Sequence, residues 1–155
     1  MQDLVAVARL DAEKHMDEQK RILLVSRDVM VLQTRKLMLG AYFEVCAAGR
    51  VVEAKRFMAE HPFDLIVLCY TLTDDDCDKI LNGARTHCPD AKFLMLTVTG
   101  FAASPLPVQS YLLPAEEGPF ILVKKSAELL GFEFRSKGRM VRATPNPLTP
   151  VSHAA

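Results

Sequence analysis

Two clusters in this sequence hold side chains whose types and spacing could do chemistry. The first is Cys69, at the end of the apolar run Phe63-Asp64-Leu65-Ile66-Val67-Leu68, with the acidic run Asp74-Asp75-Asp76 and Cys77 a few residues further on. A thiol is a nucleophile only as thiolate, which a neighbouring cation favours and apolar burial opposes. A run of carboxylates could hold a divalent ion if other acids joined it. The second cluster is Ser26-Arg27-Asp28, directly after the run Arg21-Ile22-Leu23-Leu24-Val25. If Arg27 turns toward Cys69 it supplies that cation; otherwise it pairs with Asp28 or Asp64 or turns to solvent, and Cys69 is a neutral small hydrophobe. The simpler expectation for Asp74-Asp75-Asp76 is a solvated loop that caps a helix beginning near Asp78.

The four cysteines, Cys46, Cys69, Cys77 and Cys88, lack the paired spacing of a zinc knuckle or a redox dithiol and are expected to be reduced. His87-Cys88 are adjacent at a helix end before Pro89, so their side chains diverge, and no second ligand pair stands at zinc spacing. No metal and no cofactor is expected.

Short apolar runs alternate with longer amphipathic ones, as in a parallel sheet covered by helices on both faces. Strands are expected over 21–25, 43–47, 63–70, 91–97 and 110–113. The first helix should run from a cap at Asp28 to about Leu39, where Gly40 would stop it in the left-handed conformation. Further helices are expected over 51–60, 78–87 and 120–130, the last with Pro119 in its first turn and Gly131 at its end. Pro105 and Pro107 forbid a normal helix between the fourth and fifth strands.

With 155 residues, 50% of them hydrophobic, the chain suits one domain with a full core. Nineteen basic and nineteen acidic residues cancel, so no whole-protein field draws it to nucleic acid or an anionic membrane. Its apolar runs are strand-length, and the start Met1-Gln2-Asp3-Leu4 does not read as a secretory signal, so a cytoplasmic protein is expected. Residues 1–19 read as an extension, 20–131 as the domain, and 132–155, rich in Pro and Thr near its end, as a disordered tail. Its four basic residues, Arg135, Lys137, Arg139 and Arg142, outweigh Glu133, but no helix-turn-helix pattern accompanies them and nucleic-acid binding is not expected.

From Lys20 to Gly131 the sequence resembles response-regulator receiver domains. The anchors are Arg-Ile-Leu-Leu-Val-Ser-Arg-Asp at 21–28, Gly40 to Ala47, Glu53-Ala54, Phe-Asp-Leu-Ile-Val-Leu-Cys at 63–69, Phe-Leu-Met-Leu-Thr at 93–97 and Tyr-Leu-Leu-Pro at 111–114. The resemblance implies a doubly wound α/β fold, flavodoxin-like, with five parallel strands in the order 2-1-3-4-5. The family's fourth helix would be shortened or missing. It also implies a degenerate site. Where receivers bind a divalent cation through acids after the first strand, this chain has Ser26 and Arg27, with Asp28 third. The phospho-acceptor position holds Cys69, the conserved-lysine position Leu113, and the switch-hydroxyl position is kept as Thr97. The expected function is that of a pseudo-receiver in two-component or phosphorelay signalling. It would act on a protein partner, a histidine kinase or other signalling protein, or on itself, without being an enzyme. The alternative is a thiol-based redox sensor centred on Cys69. Phe101, Leu106 and Tyr111 are candidates for the partner surface.

Overall fold

The unbroken aliphatic runs of β1 (Arg21–Val25) and β3 (Leu65–Leu68) exist because both faces of these strands are covered: Ile22 to Val25 and Leu65 to Leu68 are all fully buried. A computed structural model describes residues 20–98, 110–135 and 139–142. Within them β2 (Glu44–Ala48), β4 (Lys92–Thr97) and β5 (Ser110–Pro114) complete a parallel sheet in the order β2-β1-β3-β4-β5. This is the doubly wound, flavodoxin-like receiver order.

Alternation along the strands divides the core in two. Ile22, Leu24, Val67, Cys69, Leu94 and Leu96 face α1 (Val29–Gly40) and α4 (Pro119–Leu129). Leu23, Val25, Ile66, Leu68 and Met95 face α2 (Val51–Glu60) and α3 (Asp74–His87). Each fully buried aliphatic side chain contributes roughly 1.5–3 kcal/mol, so both layers are needed to hold the strand ends in register. Val25 pairs with Leu68 and with Ala48, and Leu96 with Leu113, which brings the carboxyl ends of all five strands to one edge. In a sheet of this order the crevice lies where β1 and β3 part company.

The caps are local and explicit. Asp28 Oδ1 accepts from the Met30 and Val31 amides at 3.0 and 3.2 Å and starts α1. Pro119 occupies the first turn of α4, and Gly131, with φ of 85°, follows its end in the conformation glycine tolerates best.

Five expectations need correction. Gly40 is the last residue of α1 and does not turn left-handed; the helix ends at Ala41, with the amides of Tyr42 and Phe43 returning to the Leu39 carbonyl. β2 is Glu44–Ala48, one residue later than expected, and β3 is confined to Leu65–Leu68. α3 begins at Asp74, so the three aspartates form its first turn and are not a loop before it. Phe132–Arg135 (β6) and Arg139–Arg142 (β7), expected in the disordered tail, pair as an antiparallel ribbon, and Phe132 and Met140 pack on the α1/α4 side of the core. The shortened fourth helix, with Phe101 and Leu106, lies outside the described residues, as do residues 1–19 and 143–155.

Candidate functional site

Ser26, Arg27 and Asp28 leave the end of β1, and Cys69 leaves the end of β3 beside them, since the preceding residues Val25 and Leu68 are in register. The Cys69 amide donates to the Val25 carbonyl at 3.1 Å, extending the ladder by one step. Ser26 is fully buried; its hydroxyl lies 3.2 Å from the Thr71 hydroxyl and accepts from the Asp28 amide at 3.2 Å. The Arg27 amide donates to Thr71 Oγ1 at 2.9 Å. Thr71 therefore ties the loop after β3 to the loop after β1.

Arg27 lies two residues past the end of β1, and its side chain reaches the first turn of α3. There its Nε and Nη2 donate to Asp76 Oδ2 and Oδ1 at 2.7 and 2.8 Å, a two-pronged pair. Asp76 is held from a second direction. Its Oδ2 also accepts from the Thr73 amide at 3.0 Å, while Thr73 Oγ1 accepts from the Asp76 amide at 3.1 Å. This is a capping box with aspartate in the third position. The Arg27 guanidinium, helped by the Thr73 donors against the opposing effect of burial, holds the Asp76 carboxyl down at about 2. The expected Arg27 partners, Asp28 and Asp64, are engaged elsewhere: Asp28 with the α1 amides, Asp64 with the Arg21 amide at 3.0 Å.

Cys69 has no exposed surface, and the cation beside it is Arg35, not Arg27: Arg35 Nη1 lies 2.8 Å from Sγ. Burial pushes the thiol up. The Arg35 charge, a hydrogen bond from Ser26 and the Arg35 N–H oppose that, Asp28 adds to it, and burial prevails. Leu113, two strands away on β5, is buried in the same apolar cluster as Cys69. Thr97 ends β4 half-buried, in register with Pro114. Tyr111 is 39% exposed on β5, with Lys125 Nζ 5.8 Å above its ring.

The structure thus brings Ser26, Arg27, Asp28 and Cys69 together and leaves Thr97 and Leu113 on the neighbouring strands. Sequence reasoning missed Arg35 and Thr71, and it placed Asp76 in a solvated loop where the structure pairs it with Arg27. Two of the three had signals. Thr73-x-x-Asp76 has the spacing of a capping box, and Val31, Arg35 and Met38 stand at i, i+4 and i+7, so an arginine interrupts an otherwise apolar helix stripe. Chemically, the crevice offers a carboxylate already saturated by arginine and a neutral thiol. Among the described residues no group of three or more His, Cys, Asp or Glu is placed to hold a metal ion.

The sequence matches no protein-family model and no curated protein. Solved structures do resemble it. A CheY-like response regulator receiver domain protein from Methanospirillum hungatei JF-1 superposes with a TM-score of 0.59, at 23% identity, over 72% of this chain and 94% of that one. A response regulator receiver protein from Sinorhizobium medicae WSM419 gives 0.60 at 21% identity, over 73% and 95%. The chemotaxis protein CheY4 of Vibrio cholerae gives 0.59 at 18%, over 72% and 98%. Likeness at these identities defines the class of fold: the chain has the CheY-like receiver fold, with the neighbours spanned almost end to end. No helix among the described residues is long and apolar enough to cross a membrane.

Proposed function

We propose that this chain is a receiver-like signalling module of two-component or phosphorelay type that works by binding a protein partner, without phosphorylation and without catalysing a reaction. The partner is a histidine kinase, another signalling protein or a second copy of the chain. The observation that carries this reading is the lock between Asp76 and Arg27, the residue that stands where the resemblance implies a cation-binding acid. Phosphoryl transfer depends on positioned charge to stabilise its transition state. Here Asp76 is neutralised by a guanidinium, Asp28 is taken up capping α1, the acceptor position is a buried thiol, and the position that would neutralise the new phosphate is Leu113. Tyr111, on the edge strand β5, is the described member of the candidate partner surface.

A redox-sensing role for Cys69 is the second reading, favoured by the 2.8 Å approach of Arg35. It is opposed by complete burial, which withholds the sulfur from oxidants and keeps it protonated. The leading reading is tested with acetyl phosphate and Mg2+ on the full chain, read by intact mass. Neither wild type nor Cys69→Asp is expected to gain a phosphoryl group, because Arg27 and Leu113 remain in the variant. Stoichiometric, acid-labile phosphorylation of the wild type would overturn it.

A further inference from the structure

Arg35 is the charged group that the crevice leaves unused. It sits half-buried on α1, and among the described residues its one hydrogen-bond partner is the Cys69 thiol and no carboxylate pairs with it. A thiol is a weak acceptor, whereas a guanidinium has five N–H donors in a planar fork made for a carboxylate. A cation held partly out of water with so poor a partner favours any anion that can reach it.

An anion can. Beside Arg35 a cleft of about 240 Å³ opens between α1, the ends of β4 and β5, and the start of α4, walled by Val31, Leu96, Leu113, Pro119 and Leu122. The walls are aliphatic, and Arg35 is the charged side chain among the lining residues. The volume lies below the ~300–1,000 Å³ typical of sites for drug-sized molecules, so the occupant is small. At the mouth, α4 starts at Gly118 with no side-chain cap, and φ of 89° with ψ of 171° there is backbone that glycine alone adopts freely. The positive end of an 11-residue helix dipole therefore stands on the same side as the guanidinium. A cationic fork, an apolar wall and small size together define one ligand chemistry.

We propose that this cleft binds a small monocarboxylate with an apolar body, its carboxylate on the Arg35 guanidinium and its hydrocarbon part against Leu96, Leu113 and Leu122. Binding draws the guanidinium from the Cys69 sulfur toward the ligand and fills the space between α1 and β5. Ligand occupancy is thereby felt at the acceptor position and on the edge strand that carries Tyr111. The site stands on its own geometry and does not depend on how the module signals.

Hexanoate is the probe, titrated into the full chain by calorimetry and followed by amide NMR, with hexanol as its neutral counterpart. Saturable hexanoate binding is expected, with shifts clustered at Val31, Arg35, Leu96 and Leu113. Hexanol, and hexanoate with Arg35→Met, should bind at least about tenfold more weakly, the loss of one charge-assisted pair. Thr34→Trp, which obstructs the cleft from an exposed helix position, should abolish binding while leaving the fold intact. Absence of saturable binding to the wild type overturns the proposal, as does equal affinity for hexanol or for Arg35→Met, or unaltered binding to Thr34→Trp.

Discussion

The two sides of the crevice solve the burial of charge in opposite ways. On the α2/α3 side, Arg27, Asp76, Thr71 and Thr73 satisfy one another at 2.7 to 3.1 Å, and the carboxylate is buried only because three donors reach it. On the α1/α4 side, a buried thiol faces a guanidinium that has no carboxylate among the described residues, beside an apolar cleft. The first side is a structural clasp between the ends of β1 and β3. The second retains unspent binding capacity. The two sides therefore differ in kind: one is satisfied internally by its own donors and acceptors, and the other carries a guanidinium beside an apolar cleft.

The comparison breaks most readily at Asp76. Replacing it with Ala removes both the clasp and half of the α3 capping box, and leaves the Thr73 amide without its acceptor; denaturant unfolding should show a loss of about 2 kcal/mol. Arg27→Ala should cost less than Asp76→Ala, because its side chain is 56% exposed and Asp76 keeps the Thr73 donors. Equal or reversed losses would show that the clasp is not organised around the buried carboxylate. The same asymmetry appears in acid. The Asp76 carboxyl lies at about 2 in the folded chain against an ordinary 3.8, so its contribution is fully present above about pH 4 and is lost as pH falls toward 2. It should amount to about 1–2 kcal/mol once solvent screening around Arg27 is allowed for. Asp76→Asn should flatten that acid limb, and an unchanged limb would place the linkage in another group.

A smaller effect sharpens the other side. Burial raises the thiols of Cys46, Cys69 and Cys77, the last to about 11 with help from Asp74, Asp76 and Asp78. Cys46 is the one of the four that keeps substantial exposure. Iodoacetamide at pH 7 should therefore alkylate Cys46 first and Cys69 no faster than an unfolded-peptide thiol. Cys69 reacting ahead of the rest, with a midpoint below pH 7, would mean that Arg35 outweighs burial and would favour the redox reading.

What the sequence disclosed and what it hid follow one physical line. Features set by neighbouring residues were legible: the Asp28 cap, α2 from Val51 to Glu60, Pro119 at the head of α4, and the unbroken runs of β1 and β3. The strand order followed from the resemblance. The start of α3 was local too, but Asp74-Asp75-Asp76 reads as solvated loop unless the Thr73-to-Asp76 spacing is weighed as a capping box. The pairs that decide the chemistry were not legible. Arg27 finds Asp76 49 residues away and Arg35 finds Cys69 34 residues away, and both pairings depend on which face of the sheet each residue leaves from. The ribbon at Phe132–Arg135 and Arg139–Arg142 was hidden because it settles on the core through Phe132 and Met140, contacts that a Pro- and Thr-rich context gives no reason to expect.

The most direct test of the central claim, that arginine has replaced the cation at this crevice, is a Mg2+ titration of the 15N-labelled full chain. Magnesium binds through carboxylates in near-octahedral geometry, and here Asp76 is committed to Arg27 and Asp28 to the α1 amides. The amides of Ser26, Arg27, Asp28, Cys69 and Asp76 should show no saturable shift, in the wild type and in Cys69→Asp alike. Saturable Mg2+-dependent shifts centred on Ser26, Asp28 and Cys69 in the wild type would contradict the account.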